Sequence, residues 1–304
     1  MAGSSKKVIF AALIGNAAIS ITKFIAAGIT NSSAMFSEGI HSLVDTGNQV
    51  LLLFGLRQAR KPADKRYPFG HGKEIYFWCF VVAILIFAVG SGLSIFKGIE
   101  HIKHPTEITS PLINYLVLGV AILIEAFVFY IALKEFNKSR GDSGVLEAIQ
   151  KGKDPAMFVV LLEDAAALLG LTVAMLGIAI SQITGNYVFD GIASVGIGLI
   201  LALVAVLLAY ETKGLLIGES ASDEVVDGIR EMVAASTGVE RVNEVLTMHM
   251  GPEYILVNLS VEFDNEIRTE QMESVIALID KNIKQGFIGV KRVFIEAESW
   301  KYTH

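Results

Sequence analysis

The sequence predicts an α-helical membrane protein with six spans and a small C-terminal α+β domain. Three observations predict this fold. Apolar residues make up 53% of the 304 residues, more than the roughly 45–50% of soluble domains, and they are concentrated in residues 8–212. The loops between the apolar segments alternate in positive charge, and the chain after Glu219 changes to amphipathic helices and strands. We therefore expect a membrane domain at residues 1–212 and a soluble domain at residues 213–304.

Six apolar segments are long enough to cross a bilayer, which takes about 20 residues of α-helix. They lie at residues 8–29, 34–57, 76–98, 112–134, 156–181 and 187–210. The first follows a short basic flank, as the apolar part of a signal peptide does. It continues to spanning length without a clear cleavage site of small residues, so we expect it to remain as the first span.

Basic residues alternate between the loops, and this alternation predicts the orientation. The loops at 58–75 and 134–153 carry several Lys and Arg residues, whereas those at 30–33 and 182–186 carry no charge. Basic loops remain on the cytosolic side of a membrane. We therefore expect both termini in the cytosol and a multi-pass protein of the cell (inner) membrane.

The last part of the chain predicts a helix, two strands, a second helix and a third strand. The amphipathic segments are residues 222–236 and 268–285, and the alternating or β-branched segments are residues 240–250, 254–264 and 290–297. This αββαβ order within about 80 residues predicts a ferredoxin-like domain with its helices on one face of a sheet. Such a small domain has a modest core, which pairing with a second copy would extend. We therefore expect a homodimer in the lipid bilayer.

Charge and cysteine content exclude two classes of function. The net charge of −6, without a basic patch interleaved with aromatic residues, argues against a nucleic-acid partner. The single cysteine, Cys79, lies in an apolar run, so one chain contains neither a disulfide framework nor a cluster of thiolate ligands.

The stretch from Ser37 to Asp45 places Glu38, His41 and Asp45 inside the second span. Their spacing of three and four residues puts them on one side of a helix. A charged side chain at bilayer depth costs about 2.5–3.5 kcal/mol, so a compensating partner is required. His41 and Asp45, four residues apart, are able to share one divalent metal ion. The alternative is a buried His–Asp hydrogen bond that fixes helix packing.

Further polar residues reach the same depth in other spans. Glu163 and Asp164 lie near the middle of the fifth span, Glu125 near the middle of the fourth, and Asn16 in the first. Neighbouring residues of a helix point about 100° apart, so Glu163 and Asp164 face different directions. For Glu125 three roles stay open: metal ligand, proton relay, or partner of a polar group on a facing helix. Asn16 is expected to form a helix–helix hydrogen bond, as is Asn48.

Lys23 and Asp190 lie toward the expected outer ends of the first and sixth spans. We expect them to pair with one another, or Lys23 to extend its ammonium group to the interface.

Two weaker metal sites are predicted outside the spans. Asp64 and His71, in a loop rich in turn-forming residues that ends at Glu74, are candidates for a second ion. The alternative is a charged interfacial loop in which His71 caps the following helix. In the tail, His249, Glu296 and Glu298 are candidates for a regulatory ion site, with exposed sheet residues as the alternative. We also expect a charge contact between Lys73 and Glu219, possible across a dimer, because they lie at the cytosolic ends of the third and sixth spans.

Three motifs of this sequence resemble the cation diffusion facilitator family of divalent metal exporters. They are HSLVD at 41–45, KPADKRYPFGHGKE at 61–74 and LLEDAAALLG at 161–170. The resemblance covers nearly the whole chain. It implies a homodimeric metal/proton antiporter, a transport site on the second and fifth helices, and a tail that dimerises and senses metal.

One position departs from the family pattern. The family usually has His or Asp four residues before the aspartate of the fifth helix, and this chain has Val160 there. The resemblance therefore implies His41, Asp45 and Asp164 as ligands, and leaves Glu163, Glu125 or water as the fourth. The LLED sequence at this place is similar to the branch that contains mitochondrial-type zinc carriers.

The expected function is Zn²⁺/H⁺ antiport out of the cytosol by alternating access, without an organic cofactor. Carboxylates and imidazole bind either a metal ion or a proton, so protons displace the metal. Glu38 lies one turn nearer the outside and is assigned to the exit path or to packing. Mn²⁺ and Fe²⁺ are the alternative ions. The protein is not expected to be an enzyme, since no HExxH motif occurs; an intramembrane metal-dependent enzyme and a metal-gated channel are remote alternatives.

Overall fold

Six long helices precede a small sheet domain in the computed structural model, which describes residues 2–140 and 155–299 (excepting the side chains of residues 2–15, 135 and 138–140). The helices are α1 Ala2–Thr30, α2 Ser33–Ala59, α3 Glu74–Lys103, α4 Pro111–Arg140, α5 Pro155–Thr184 and α6 Val188–Ile217. The first five contain the first five predicted apolar segments and extend beyond them, and α6 contains the sixth segment except for Tyr187. Of the basic residues in the predicted 134–153 loop, Lys134, Lys138 and Arg140 belong to α4 instead, and Lys151 and Lys153 lie outside the described residues.

Four of these helices are long and apolar enough to cross a membrane: α3, the part of α4 at Pro111–Lys134, α5 and α6. In α1 the apolar stretch of described side chains, Asn16–Thr30, is shorter than a span. The α2 helix contains the polar residues of the Ser37–Asp45 stretch and is not among the four. A multi-pass membrane protein is thus confirmed, and six spans remain a prediction.

The α3 and α6 helices approach closely through glycine. A Cβ atom on Gly98 of α3 would lie 2.7 Å from the carbonyl oxygen of Gly191 in α6, and one on Gly191 would lie 2.9 Å from the carbonyl oxygen of Gly98. Small residues allow such contact between membrane helices, where packing and not water exclusion drives association. One π-helical turn, Ile86–Ser91, interrupts α3 beside this interface.

The C-terminal part contains the predicted αββαβ order. Its elements are α7 Asp223–Ala234, β1 Val239–Gly251, β2 Tyr254–Phe263, α8 Thr269–Gly286 and β3 Val290–Ala297. The strand order is β1-β2-β3, with β1 antiparallel and β3 parallel to β2. Alternate residues of β2, including Val257 and Leu259, form a core with Ile229 of α7 and Ile279 of α8. The strand period places these side chains on one face of the sheet.

Tertiary contacts divide the chain into two compact units. The first consists of Met1–Arg57 and Phe77–Thr212, and the second of Gln58–Tyr76 and Lys213–His304. The second unit therefore includes the loop that follows α2, which the division at residue 212 assigns to the membrane domain. Within it, a Cβ atom on Gly72 would lie 3.3 Å from the Cα atom of Gly251, so the loop packs backbone to backbone against the β1–β2 turn.

Candidate functional site

A small cavity lies among four helices of the first unit. Its volume is about 30 Å³, which is room for one or two water molecules or a single dehydrated metal ion. Four helices line it: α1 with Asn16 and Ile19, α2 with Ser42, Asp45 and Gln49, α4 with Glu125, and α5 with Val160, Glu163 and Asp164. The polar residues that the sequence predicts at one depth of the membrane thus line one cavity. Each of the four helices turns its polar residues toward it.

His41 and Asp45 stand next to this cavity on one face of α2. His41 is 2% exposed, and its Nε2 atom lies 3.4 Å from Oδ2 of Asp45. Two atoms that each lie about 2.0–2.1 Å from a tetrahedral Zn²⁺ are about 3.3–3.4 Å from one another. The pair therefore already has the spacing of two ligands of one zinc ion, as the four-residue separation predicts.

Two carboxylate oxygens at this place have no hydrogen-bond partner among the described residues. They are Oδ1 of Asp45 and Oδ2 of Asp164, and both atoms are buried. A buried polar atom without a partner costs free energy, and native structures keep such atoms mainly where they bind something. These oxygens are suited to accept a cation or a proton.

Glu163 points to a different partner from Asp164. Its Oε1 accepts a hydrogen bond of 2.7 Å from Nδ2 of Asn48 in α2, and Asn48 is fully buried. This confirms Asn48 as a helix–helix hydrogen-bonding residue. Glu163 still lines the cavity, but one of its oxygens is already used to hold α5 against α2.

The ligands are not yet gathered around one point. Among residues 2–140 and 155–299, no three His, Cys, Asp or Glu side chains are grouped as a metal ion requires. The side chains of Asp45, Glu125, Glu163 and Asp164 line the same cavity. His41 lies next to one of them, Asp45. Metal binding there therefore needs side-chain rotation.

Lys23 does not pair with Asp190, so the expectation for these two residues is wrong. The Lys23 ammonium group donates to Oε2 of Glu38 at 3.0 Å and to Oγ of Ser42 at 2.7 Å. Both charged side chains are buried, at 1% and 0% exposure. The lysine faces α2 rather than α6, and the buried ion pair holds α1 against α2. Glu38 also lies against Gly170 of α5, and its assignment to the exit path or to packing remains a prediction.

Asp190 instead caps the N-terminus of α2 from another helix. Its carboxylate accepts hydrogen bonds from Oγ of Ser32 at 2.6 Å, the backbone N–H of Ser33 at 2.5 Å and the backbone N–H of Ala34 at 3.3 Å. Nε2 of His101 lies 3.6 Å from the same carboxylate. First-turn N–H groups lack partners within the helix and favour an anion. Sequence reasoning missed this role, because the cap is 156 positions away from Ala34.

In the loop where a second ion site is predicted, Asp64 forms hydrogen bonds with other residues of the same loop. Oδ1 of Asp64 accepts from the backbone N–H groups of Arg66 at 2.8 Å and Tyr67 at 2.7 Å, and Oδ2 lies 3.1 Å from Nε2 of His71. The hydrogen bond from Tyr67, together with that from His71, lowers the pKa of Asp64. The backbone carbonyl of His71, not its ring, accepts from the N–H of Glu74 at 2.9 Å. Both Asp64 oxygens thus close the loop, and a second ion here remains a prediction.

The tail residues His249, Glu296 and Glu298 are not brought together, so one ion site of all three is wrong. His249 pairs with Ile255 on β2, whereas Glu296 pairs with Ser260. Five residues of strand separate these two points, about 17 Å. Oε2 of Glu298 accepts a hydrogen bond from Oγ of Ser260 at 2.7 Å. Glu298 therefore lies at the same end of the sheet as Glu296, far from His249. The strand register, invisible in composition, sets this separation.

Lys73 and Glu219 approach neighbouring residues of β1. The Lys73 ammonium group lies 3.6 Å from Sδ of Met248, and its partial burial lowers the pKa of Lys73. The backbone carbonyl of Glu219 accepts from the N–H of His249 at 3.0 Å. A direct charge contact between the two side chains remains a prediction.

Comparison with known proteins assigns this architecture to one family. A family model described as the cation efflux transmembrane domain matches residues 9–217. The chain is 34% identical over 265 residues to the proton-coupled zinc antiporter SLC30A9, mitochondrial, of Xenopus laevis, with 86% of this chain and 47% of that protein aligned. It is 27% identical to metal tolerance protein C4 of Arabidopsis thaliana, with 86% and 58% aligned.

A bacterial relative is similar in length. The manganese efflux system protein MneP of Bacillus subtilis is 22% identical over 303 residues, with 97% of this chain and 96% of that protein aligned. The chain spans about half the length of the zinc antiporter relatives that it matches. The names of these relatives describe transporters of more than one divalent metal.

Proposed function

The chain belongs to the cation efflux, or cation diffusion facilitator, family, on the side of its zinc-transporting members, and from this we propose that it exports Zn²⁺ from the cytosol in exchange for protons. The observation that carries the proposal is the cavity between α1, α2, α4 and α5. Its lining residue Asp45 forms with His41 a pair spaced for zinc. Two buried carboxylate oxygens, on Asp45 and Asp164, have no hydrogen-bond partners among the described residues.

Proton exchange follows from the chemistry of these groups. Imidazole and carboxylate bind a metal ion only when deprotonated, so the ion and the protons compete for the same atoms. His41 is the natural proton carrier, because histidine changes charge nearest to neutral pH. Zn²⁺ held by the imidazole of His41 and the carboxylates of Asp45 and Asp164 forms a nearly neutral complex. That neutrality lowers the cost of carrying the ion through a medium of low dielectric constant.

The arrangement in the membrane is part of the proposal. Both termini lie in the cytosol of a cell (inner) membrane protein, which the basic loops support. Residues 1–212 act as the transport domain by alternating access. Residues 213–304 act as a cytosolic domain through which two copies form a homodimer, and the αββαβ order of α7 to β3 supports this.

Mn²⁺ or Fe²⁺ is the second candidate cargo. The cavity contributes mostly oxygen donors, from Asp45, Glu125, Glu163 and Asp164, and oxygen ligands suit Mn²⁺. The relative MneP is named as a manganese efflux protein.

Reconstituted protein tests the proposal. We expect zinc uptake into liposomes to follow an imposed pH gradient and to fall to the level of empty liposomes in Asp45→Ala and in Asp164→Ala. The matched control is Glu100→Ala, which removes a carboxylate of the same unit that does not line the cavity and should leave transport unchanged. A panel of Zn²⁺, Mn²⁺ and Fe²⁺ in competition identifies the cargo. Wild-type rates in both aspartate variants would refute this site, and zinc flux without proton counterflow would refute the exchange.

A further inference from the structure

The position four residues before Asp164 lacks a donor. Val160 and Asp164 are four residues apart on α5, share one face of that helix, and both line the cavity. A valine side chain offers no ligand atom. If the cavity binds Zn²⁺ as proposed above, the site has His41, Asp45 and Asp164, and structural chemistry favours a fourth donor.

The polar residues that line the cavity differ in the hydrogen bonds that they already form with other residues. Oγ of Ser42 accepts the hydrogen bond of the Lys23 ammonium group at 2.7 Å. Oε1 of Glu163 accepts from Asn48 at 2.7 Å. Asn16 and Gln49 offer only neutral amide oxygens. Moving Glu163 fully onto a metal would remove the hydrogen bond that joins α2 to α5, and it would leave the buried amide of Asn48 without this acceptor.

Glu125 approaches from a helix outside the α2–α5 pair. The α4 helix packs along α5 and against α1, and this packing brings the half-buried Glu125 to the cavity that Val160 also lines. A glutamate has three side-chain torsions, so rotation moves its carboxylate over several ångströms without moving the helix. The cavity of about 30 Å³ has room for one dehydrated ion, toward which the Glu125 carboxylate would turn.

We propose that Glu125 of α4 supplies the fourth ligand that Val160 does not provide, so that the transport site spans α2, α4 and α5. The inference rests on the proposed metal transport. The resemblance implies a site whose ligands are paired on α2 and α5. The site inferred here has three carboxylates and one imidazole, contributed by α2, α4 and α5. Oxygen ligands favour harder ions and imidazole favours zinc, so this site discriminates less strongly against Mn²⁺ than one with a second histidine.

Zinc and manganese binding to the purified full-length protein tests this inference. Isothermal titration calorimetry with each metal salt is compared for wild type, Glu125→Gln, Glu163→Gln, Val160→His and the double variant Val160→His/Glu125→Gln. We expect Glu125→Gln to weaken zinc binding at least about 10-fold and Glu163→Gln to weaken it less than Glu125→Gln does. The double variant should recover most of the zinc affinity, because histidine then provides the missing donor from α5. Val160→His alone should raise the ratio of zinc to manganese affinity.

Three controls make the outcome decisive. Size-exclusion profiles and thermal unfolding identify any variant that has lost its fold, and the rescue is measured in the same background as the loss. Wild-type zinc affinity in Glu125→Gln, or loss in Glu163→Gln without loss in Glu125→Gln, would overturn the inference while leaving the proposed function intact. Failure of Val160→His to restore binding in a folded double variant would also overturn it. Absence of zinc and manganese binding in the wild type would instead refute the proposed function and this inference with it.

Discussion

Two groups of buried polar residues in the first unit differ in how they are partnered. Near the start of α2, the Lys23 ammonium group compensates the charge of Glu38 through Oε2 and also bonds Ser42, although Oε1 of Glu38 has no hydrogen-bond partner among the described residues. Asp190 accepts from three successive residues of the chain. About the cavity, carboxylates of α2, α4 and α5 line the same space. Partnered charges join helices to one another. Groups with unpartnered oxygens lower stability and are retained where they bind a ligand.

The largest expected effect tests the partnered group. Lys23→Met leaves the Glu38 carboxylate buried without its ammonium partner, which costs about 3–5 kcal/mol for a broken buried pair. The double variant Lys23→Met/Glu38→Gln removes both charges and should recover most of this loss. Unfolding of the protein in detergent, followed by circular dichroism, measures the difference. Equal stability of the single and double variants would show that the pair does not act as a unit.

A smaller effect of opposite sign tests the unpartnered group. Asp164→Asn removes a carboxylate whose Oδ2 is buried without a hydrogen-bond partner in the described part of the chain. We expect the free energy of unfolding to rise by about 1 kcal/mol while transport is lost, since functional sites often cost stability. Asp190→Asn is the matched control and should lose stability, because that carboxylate accepts several hydrogen bonds. A loss of stability in Asp164→Asn similar to that in Asp190→Asn would remove the contrast between the two groups.

The smallest effect concerns the loop closed by Asp64. Hydrogen bonds from Tyr67 and His71 hold the pKa of Asp64 below its usual range. Because the pKa of Asp64 is lowered in the folded state, its ionised carboxylate stabilises the loop at pH values above the ordinary aspartate pKa of about 4. That stabilisation is lost as the pH falls through the lower folded value. We expect amide signals of Tyr67 to shift below about pH 4. The shift should be absent in Asp64→Asn, and a shift that persists there would assign it to another group.

Local patterns in the sequence were sufficient for the elements and for half of the candidate site. The predicted third strand coincides with β3, Val290–Ala297, because its β-branched pattern is a short-range property. The four-residue spacing of His41 and Asp45 predicts that they meet, and their atoms lie 3.4 Å apart. The glycine contact of Gly98 with Gly191 was not predicted, since nothing in either helix shows which helix it will face.

Short-range patterns and motifs were enough to predict the helices and strands, the polar stripe of α2, and membership in a family of metal transporters. The helices, the strands and the stripe rest on periodicities of two to four residues, which local geometry imposes on any chain, and the family membership rests on three sequence motifs. The packing of helices and strands against one another set the partners of the buried polar residues. It placed Lys23 on Glu38 instead of Asp190, and separated His249 from Glu296. It brought Glu125 and Val160 to the lining of one cavity. Such choices depend on which side chains fit together across helices far apart in the chain, and spacing along one element does not encode that fit.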